Sequence, residues 1–454
     1  MISRKISADL KPGFFRSEAA SIVAISSRGA TLEVVHIYHI SKTNRVSKKL
    51  NKLTVFEILS IVFGMQFRDQ IKIDPTPLDV PDLSRQGLLS RGSWYEIDLG
   101  AIRHNYRQLR AHLPPAVKIF ACLKRNAYGC GAGHVARALA TEGADGFAVA
   151  ALPDAIAIRQ AGVEHPILLY PGPLPASAGT IEALRLTVTI SSLDELAQWR
   201  AVLGITRIFV KADLGFHRAG ATPKAVGEIL AAAHAYGDVD VRGLYAHLSE
   251  LPASAPSHEG DQISRLERIL QEADASGTRP PIAMMASTAG VLRCPAMDFD
   301  AVDPGALFIG LSEADQGARP VTLRPALRAI SASLVSIKQV DASLGPTPDL
   351  PGFRQGMTIG VLGMGWGDGI PRHLPAGTPA LVRGRRARLI PPVHLEHLRI
   401  DLTDIPDAKF GDPVLLLGRQ GDQAITQDEV AACWETDLVG LYAQLRDHIP
   451  RVYV

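Results

Sequence analysis

The sequence predicts an α/β protein in which a (β/α)8 barrel is followed by a mostly-β domain. Three observations lead to this prediction. Apolar, strand-like runs alternate with helical patterns over 91–325, strand-like alternation dominates after residue 325, and the first 90 residues show neither pattern. A chain of 454 residues is too long for one compact core. We therefore predict an N-terminal extension at 1–90, a barrel at 91–325 and a β domain at 326–454. We interpret the extension as a disordered leader or as the product of a start taken too far upstream, and assign it no function.

The barrel prediction depends on eight short apolar runs. Helical patterns follow the first two runs, at 134–140 and at 153–161, where Asp154 falls in the first turn. Short continuous apolar strands separated by helices indicate a parallel sheet that is covered on both faces. Eight such units over roughly 200–250 residues fit a closed barrel better than an open sheet. The predicted strands are 117–123, 146–150, 166–170, 187–190, 207–212, 242–246, 281–285 and 306–309.

The β-domain prediction depends on a change in composition after Pro325. Glycine, proline and β-branched residues become frequent, and the runs 330–337 and 378–383 alternate at the period of a strand. Residues 414–418 add another strand candidate. We interpret the basic stretch 383–388 as a solvated turn between strands.

Composition and charge exclude several classes of protein. The chain has 48 basic and 46 acidic residues and a formal charge of +2, which gives no reason to expect a nucleic acid or an anionic membrane as partner. No apolar run reaches the roughly 18–20 residues of a membrane helix; the nearest, 55–65, is short and contains Glu57. The four cysteines are scattered without a C-x-x-C pair, so we expect reduced thiols in a cytoplasmic protein and no metal site.

The strongest local signal is Cys122-Leu-Lys124-Arg-Asn-Ala-Tyr128-Gly-Cys-Gly131. Lys124 follows the first predicted barrel strand, at the end where barrel active sites form. A lysine that forms a Schiff base must be partly neutral, which a desolvated or cationic pocket favours. The glycines allow a tight turn, from which Tyr128 can reach a phosphate. The motif alone is also compatible with a strand-end lysine that extends to solvent.

Several motifs in order make the chain from Trp94 to Tyr453 resemble the alanine racemase family. Residues 123–131 resemble the signature around the lysine that binds pyridoxal 5′-phosphate (PLP), with Cys130 where a histidine is usual. The other matching segments are 91–99, 103–106, 143–151, 211–220, 243–248, 303–305, 365–369, 401–403 and 449–453. The resemblance implies a PLP-dependent racemase that interconverts L- and D-alanine, or a related amino acid, by removing the Cα proton. It also implies a homodimer, in which each barrel mouth is completed by the partner's β domain.

The resemblance implies roles for individual residues. Lys124 would hold PLP as an internal aldimine and act as the base on one face of the substrate. The phosphate would be bound by Tyr128, Ser287 and the backbone of Gly305.

Three further matching positions lie around the cofactor ring and the substrate. His247 would lie beside the ring. Arg218 would bind the phenolic oxygen of the cofactor or the substrate carboxylate. Lys211 matches a lysine that is carbamylated in some members, and the sequence leaves its modification open.

One departure concerns the second face of the substrate, where racemisation needs another proton donor. The family uses a tyrosine there, but this chain has none between Tyr245 and Tyr442, and Pro348 falls near the expected position. The family's substrate-contact segment has become His394-Leu395-Glu, which would act in trans. His394 is a candidate substitute because histidine exchanges protons near neutral pH. The alternative is an ordinary surface histidine. Leu395 is the predicted substrate contact.

A second departure is Asp303, where the family has an arginine that faces the pyridine nitrogen of the cofactor. An aspartate would favour the protonated ring, which is a better electron sink. Related barrel decarboxylases carry an acidic residue there, so a decarboxylase, aldolase or eliminase is the alternative activity, and a non-racemising paralogue the third reading. In addition, Trp366 and Val439 stand where the family has tyrosines.

Overall fold

The computed structural model divides the chain into two compact units, Met1–Asp82 and Leu83–Val454. It describes residues 20–28, 31–40 and 46–47 of the first unit, and 92–249, 257–312 and 317–454 of the second. The first unit contains an antiparallel sheet of β1 (Ala20–Arg28), β2 (Thr31–Ile40) and β3 (Val46–Ser47). Sequence analysis assigned no strands here, although β-branched residues are frequent in β1 and β2 and favour strands. The apolar run 55–65 lies outside the described residues.

Eight parallel strands form a closed barrel in the second unit. In chain order they are β5 (Lys118–Cys122), β6 (Gly146–Val149), β7 (Ile167–Leu169), β8 (Thr187–Ile190), β9 (Thr206–Lys211), β10 (Val239–Tyr245), β11 (Ala283–Ala286) and β12 (Ala301–Val302). The barrel is closed by the pairing of β12 with β5. Helices of this region are Leu99–Arg110, Ala132–Glu142, Leu152–Gln160, Ala178–Ala183, Leu193–Arg200, Pro223–Ala235, Ser257–Ala275 and Thr288–Arg293. None of the described helices is both long and apolar enough to cross a membrane.

The eighth barrel strand differs from the prediction. The run 306–309 forms a 3-10 helix, and the strand is the two-residue β12 just before it. Leu307 and Phe308 are fully buried, and the Phe308 ring stacks with Tyr106 at 6.0 Å between centroids. A short apolar run predicts burial but does not distinguish a strand from a helical turn.

The β domain is built around a nine-stranded sheet. Its strands are β4 (Trp94–Ile97), β13 (Leu327–Gln339), β14 (Thr358–Leu362), β15 (Pro379–Val382), β16 (Arg385–Ile390), β17 (Leu398–Asp401), β18 (Pro413–Gln420), β19 (Gln423–Ile425) and β20 (Arg451–Tyr453), and helices Gln427–Cys433 and Leu438–Ala443 accompany them. The strands are arranged in the order β19-β18-β15-β16-β17-β14-β13-β4-β20. Because β18 also pairs with β13, the six strands from β13 to β18 close into a ring. The turn predicted at 383–388 is confined to Arg383 and Gly384, which join β15 to β16, and the remaining four residues belong to β16.

The segment predicted to open the barrel, 91–99, instead contributes a strand to the β domain. β4 pairs antiparallel with β13 and parallel with β20. Pairing between residues so far apart in the chain leaves no local pattern, so the domain boundary could not be predicted at this point.

The middle of the barrel interior is filled by a separate apolar cluster that includes Phe120 and Phe209. Each ring lies against a glycine of a neighbouring strand. A Cβ on Gly146 would lie 2.5 Å from Phe120, and a Cβ on Gly243 would lie 2.1 Å from Phe209. The cluster therefore fills the barrel between its two ends.

Candidate active site

A cavity of about 580 Å³ opens at the carboxyl ends of the barrel strands. Most of its wall is formed by residues at or just after the ends of β5, β7, β9, β10, β11 and β12, as the sequence predicts for a barrel active site. Seven of the predicted site residues line it: Lys124, Tyr128, Arg218, His247, Ser287, Asp303 and Gly305. Tyr170, Lys211, Tyr245 and Val439 complete much of the remaining wall.

The residues after Lys124 form a left-handed turn. Arg125, Asn126, Ala127 and Tyr128 have φ values of 54°, 56°, 52° and 56°. Such a conformation costs about 1–2 kcal/mol for each residue that is not glycine. It brings Lys124 and Tyr128 to the same cavity although they are four residues apart.

Hydrogen bonds of Asn126 hold this turn. Its backbone N–H donates to Asp154 Oδ1 at 3.0 Å, and its side-chain amide donates to Asp447 Oδ1 at 2.9 Å. Its side-chain oxygen accepts from the Ala132 N–H at 2.7 Å, at the start of the next helix. The turn is thus anchored to the barrel and to the C-terminal segment.

Gly305 has no room for a side chain. A Cβ there would lie 2.3 Å from the Tyr128 hydroxyl oxygen and 2.9 Å from the Cys122 carbonyl oxygen. The Gly305 N–H donates to Thr288 Oγ1 at 3.3 Å, beside Ser287. Backbone, Tyr128, Ser287 and Thr288 therefore form a compact polar cradle on one side of the cavity. Thr288 was not singled out from the sequence, although it adjoins the predicted Ser287.

Asp303 forms a buried pair with Tyr170. The Tyr170 hydroxyl donates to Asp303 Oδ2 at 2.7 Å, and Asp303 is only 6% exposed. Its other oxygen, Oδ1, is buried without a hydrogen-bond partner among the residues that the structure describes. Burial raises the pKa of Asp303 to about 6, against the opposing effects of the Tyr170 hydrogen bond and of the Lys124 and Lys211 charges. Burial, together with Asp303, holds the pKa of Tyr170 well above its usual range, so the phenol remains a donor.

Tyr170 was not predicted from the sequence as a site residue. A signal was present, because Tyr170 is the last residue of a predicted strand, 166–170, and so falls at the catalytic end of the barrel.

Three cations share the cavity with His247. Burial, and then the charges of Lys124, Arg218 and Lys211, lower the pKa of His247 to about 4. The imidazole is consequently neutral at neutral pH. Burial and the neighbouring Arg218 also lower the pKa of Lys211. The chain near Arg218 is ordered by Asp213, whose carboxylate accepts hydrogen bonds from four backbone N–H groups at 2.8–3.1 Å.

The structure does not bring His394 and Leu395 to this cavity. Both are exposed on the β domain, Leu395 at 52%. Arg399 Nη2 lies 3.1 Å from His394 Nε2. The backbone carbonyl oxygens of His394 and Leu395 accept hydrogen bonds at 2.9 Å from the N–H groups of Trp366 and Gly367, respectively. The segments 365–369 and 394–396, both noted in the sequence, therefore lie together. We call this cluster, Gly365–Asp368 with His394–Glu396, the β-domain loop cluster.

Comparison with known proteins matches both domains. Residues 97–313 match the family model of the alanine racemase N-terminal domain, and residues 352–453 match that of the alanine racemase C-terminal domain. Among curated proteins, alanine racemase of Desulfovibrio desulfuricans is 30% identical over 369 residues, covering 80% of this chain and 98% of that protein. The biosynthetic alanine racemase of Pseudomonas aeruginosa is 35% identical over 363 residues, covering 79% and 98%.

Solved structures give the same result. The alanine racemase of Bacillus anthracis with bound L-Ala-P has a TM-score of 0.71 at 28% identity, over 80% of this chain and 95% of that one. The biosynthetic enzyme of Pseudomonas aeruginosa has a TM-score of 0.63 at 31% identity, over 80% and 99%. The barrel, the β domain and their order along the chain are shared.

Proposed function

We propose that this chain, which belongs to the alanine racemase family of PLP-dependent isomerases, racemises alanine or a similarly small amino acid. Lys124 is one of its two proton carriers. The observation that carries the proposal is the composition of one cavity, in which a lysine, a polar cradle and an unpartnered buried carboxylate oxygen lie together. These three features match the aldehyde, the phosphate and the ring nitrogen of PLP.

The residues present fit the cofactor. Lys124 supplies the amine, and Tyr128, Ser287 and the Gly305 backbone supply phosphate ligands. Asp303 Oδ1 would accept a hydrogen bond from a protonated ring nitrogen, which removes the cost of leaving that oxygen unpaired. His247, neutral in this environment, would lie beside the ring without adding charge.

When bound, the cofactor would supply an electron sink for the pair that remains when the Cα–H bond of an amino acid breaks. Lys124 removes or returns the proton on one face, and Arg218 holds the substrate carboxylate. Tyr170 orients the Asp303 carboxylate by donating to Oδ2.

The second proton carrier would be His394 from a second copy of the chain, with Leu395 contacting the substrate. Both residues are exposed in the β-domain loop cluster, as residues that complete a partner's cavity must be. The protein would then be a homodimer. Sedimentation at micromolar concentration should give a dimer mass, and a monomer under those conditions would contradict this arrangement.

The activity is tested by proton NMR of the PLP-loaded protein with L-alanine in D₂O, with a chiral assay of the product. Cα deuteration accompanied by D-alanine is the expected result. His394→Gln should reduce D-alanine formation at least tenfold, whereas the exposed neighbour His397→Gln should leave it unchanged. Deuteration with retained configuration would contradict a racemase.

A decarboxylase, aldolase or eliminase is the second candidate, and Asp303 is the observation that favours it. A protonated ring nitrogen makes the cofactor a better electron sink, so that bonds from the amino acid to groups other than the Cα proton become easier to break. Release of CO₂ or aldehyde from an amino acid, without racemisation of alanine, would select this candidate.

The cofactor assignment has its own test. Protein purified with PLP should show the visible absorption band of lysine-bound PLP, and Lys124→Ala should lose it. Lys338→Ala, on an exposed part of β13, is the matched control and should retain the band. If Lys124→Ala keeps the band, Lys124 is not the attachment site.

We also propose that the protein acts in the cytoplasm. All four cysteines are free in the structure, and unpaired thiols are typical of a reducing compartment. Cell fractionation should recover the activity with cytoplasmic markers.

A further inference from the structure

A second cavity, of about 430 Å³, lies at the amino ends of the barrel strands, opposite the catalytic end. It does not belong to the machinery described above. We call it the amino-end cavity. Lys118, Phe120, Arg207, Phe209 and Arg242 are among the residues that line it.

The amino-end cavity follows from the alternation of side chains along two strands. In β5, Lys118 and Phe120 line this cavity and Cys122 lines the catalytic one; in β9, Arg207 and Phe209 precede Lys211 in the same way. Side chains two residues apart point to the same face of a strand. Each of these strands therefore presents a cation to the amino-end cavity and a phenylalanine to the apolar cluster beneath it.

Positive charge dominates the amino-end cavity. Five basic residues line it, against two acidic ones: Lys118, Arg159, Arg185, Arg207 and Arg242, with Asp145 and Glu164. Clefts lined by one sign of charge concentrate ions of the opposite sign.

The acidic residues are already engaged. Asp145 accepts a hydrogen bond from the Ile119 N–H at 2.8 Å, and Glu164 is paired with Arg185. Arg242 pairs with Asp240 at 2.6 Å. Within the described part of the chain, Lys118 and Arg207 make no ion pair.

The guanidinium groups of Arg159 and Arg185 lie near each other in the amino-end cavity. Arg159 is fixed by three backbone carbonyl groups, those of Leu184, Val163 and His165, at 2.7–2.9 Å. Burial, and then the charge of Arg185, lower the pKa of Arg159. A bound anion would relieve this repulsion.

The floor of the cavity is apolar and rigid. Phe120 and Phe209 contact each other edge to face at 6.0 Å between centroids, and each is held against a glycine. An apolar floor strengthens charge interactions above it, because it lowers the local dielectric constant. It also offers a surface for the carbon frame of a ligand.

We propose that the amino-end cavity binds a small anion with two or more negative charges, either a phosphate compound or a polycarboxylate. Lys118 and Arg207 are its principal ligands, and the site is independent of the catalytic activity.

Isothermal titration calorimetry of the PLP-loaded protein tests this proposal. Free PLP is first removed, because it is itself a phosphate compound. Pyrophosphate and citrate are the two probes, and at least one should bind with an affinity that falls as salt is added. Binding of pyrophosphate alone identifies a phosphate site, and binding of citrate alone a carboxylate site.

Paired variants assign the binding to the cavity. Arg207→Gln should weaken binding about tenfold or more, the typical effect of losing a charge-assisted hydrogen bond. Lys118→Gln with Arg207→Gln should abolish it. Arg388→Gln, an exposed site in β16, is the control and should bind as the unmodified protein does. Retained turnover by each variant shows that the barrel is folded.

Two outcomes would overturn the proposal. One is the absence of binding by both probes at low-millimolar concentration. The other is unchanged affinity in the double variant, since binding would then occur elsewhere.

Discussion

Asp303 and His247 lie in one cavity, and burial shifts their pKa values in opposite directions. That of Asp303 rises to about 6, and that of His247 falls to about 4. The folded protein thus holds the Asp303 proton more tightly than the unfolded chain does, and the His247 proton less tightly. Ionisation of Asp303 therefore lowers the free energy of unfolding as the pH rises from about 4 to 6. Protonation of His247 lowers it as the pH falls from about 6.5 to 4. In the PLP-free protein the two effects oppose each other.

We predict that substitution of either residue exposes the effect of the other. The stability of Asp303→Asn relative to the unmodified protein should increase by about 1–3 kcal/mol between pH 4 and 6.5. That of His247→Gln should decrease over the same interval. Urea unfolding of the PLP-free proteins measures both differences, and slopes of the same sign would contradict the prediction.

A side chain at Gly305 should damage cofactor binding. Gly305→Ala forces its Cβ against the Tyr128 hydroxyl and the Cys122 carbonyl, so Tyr128 must leave the cradle. We expect PLP affinity to fall at least tenfold, measured by equilibrium titration of the PLP-free protein. Gly227→Ala, where φ is not positive, as at Gly305, and a Cβ meets nothing within 4 Å, is the control and should bind PLP normally.

At the scale of single residues, the sequence predicted the seven residues from Lys124 to Gly305 that line the cavity, because Ser287 matches the family by position and the other six belong to motifs. Tyr170, Lys118 and Arg207 belong to none. Their roles depend on which strand ends meet, and that becomes visible only when the barrel is closed.

The side chain of Asn126 helps to hold the left-handed turn at Arg125–Tyr128 through two hydrogen bonds. Asn126→Ala removes two side-chain hydrogen bonds and leaves alanine at a φ of 56°. We expect a loss of about 2–4 kcal/mol in the free energy of unfolding. Chemical denaturation with a near-ultraviolet signal measures it.

Asn126→Gly separates the two causes. Glycine tolerates a positive φ, so this variant should lose the hydrogen bonds alone and be about 1 kcal/mol more stable than Asn126→Ala. Equal stabilities would mean that backbone strain contributes nothing at this turn.

Some strands were predictable from their apolar runs, whereas the eighth barrel strand was not. The runs at 117–123 and 187–190 became β5 and β8 with nearly the same ends. The two-residue β12 carries no pattern of its own, and the longer apolar run beside it was taken for the strand. Local sequence therefore predicts burial more securely than it predicts the type of element.

At the scale of the whole molecule, the end of the chain supports the active site. Arg451 Nε donates to the Gly129 carbonyl oxygen at 3.0 Å, directly after the left-handed turn. Tyr453 stacks on His134 at 3.9 Å between centroids. We predict that removal of Arg451–Val454 lowers both the melting temperature and the affinity for PLP.

Scanning calorimetry and PLP titration check this prediction. Val452→Thr, which alters a partly exposed side chain and keeps the strand backbone, is the control and should change neither quantity substantially. If the truncated protein binds PLP as the full chain does, the C-terminal strand does not support the site.

The pairing of β4 with β20 has a consequence for synthesis. About 350 residues separate the two strands, so at roughly 5–20 residues per second β4 waits tens of seconds for its last neighbour. During that time one edge of β4 offers unpaired peptide groups to other nascent chains. The sheet is completed only when β20 has left the ribosome, so β4 lacks this neighbour throughout the synthesis of the barrel and of the rest of the β domain.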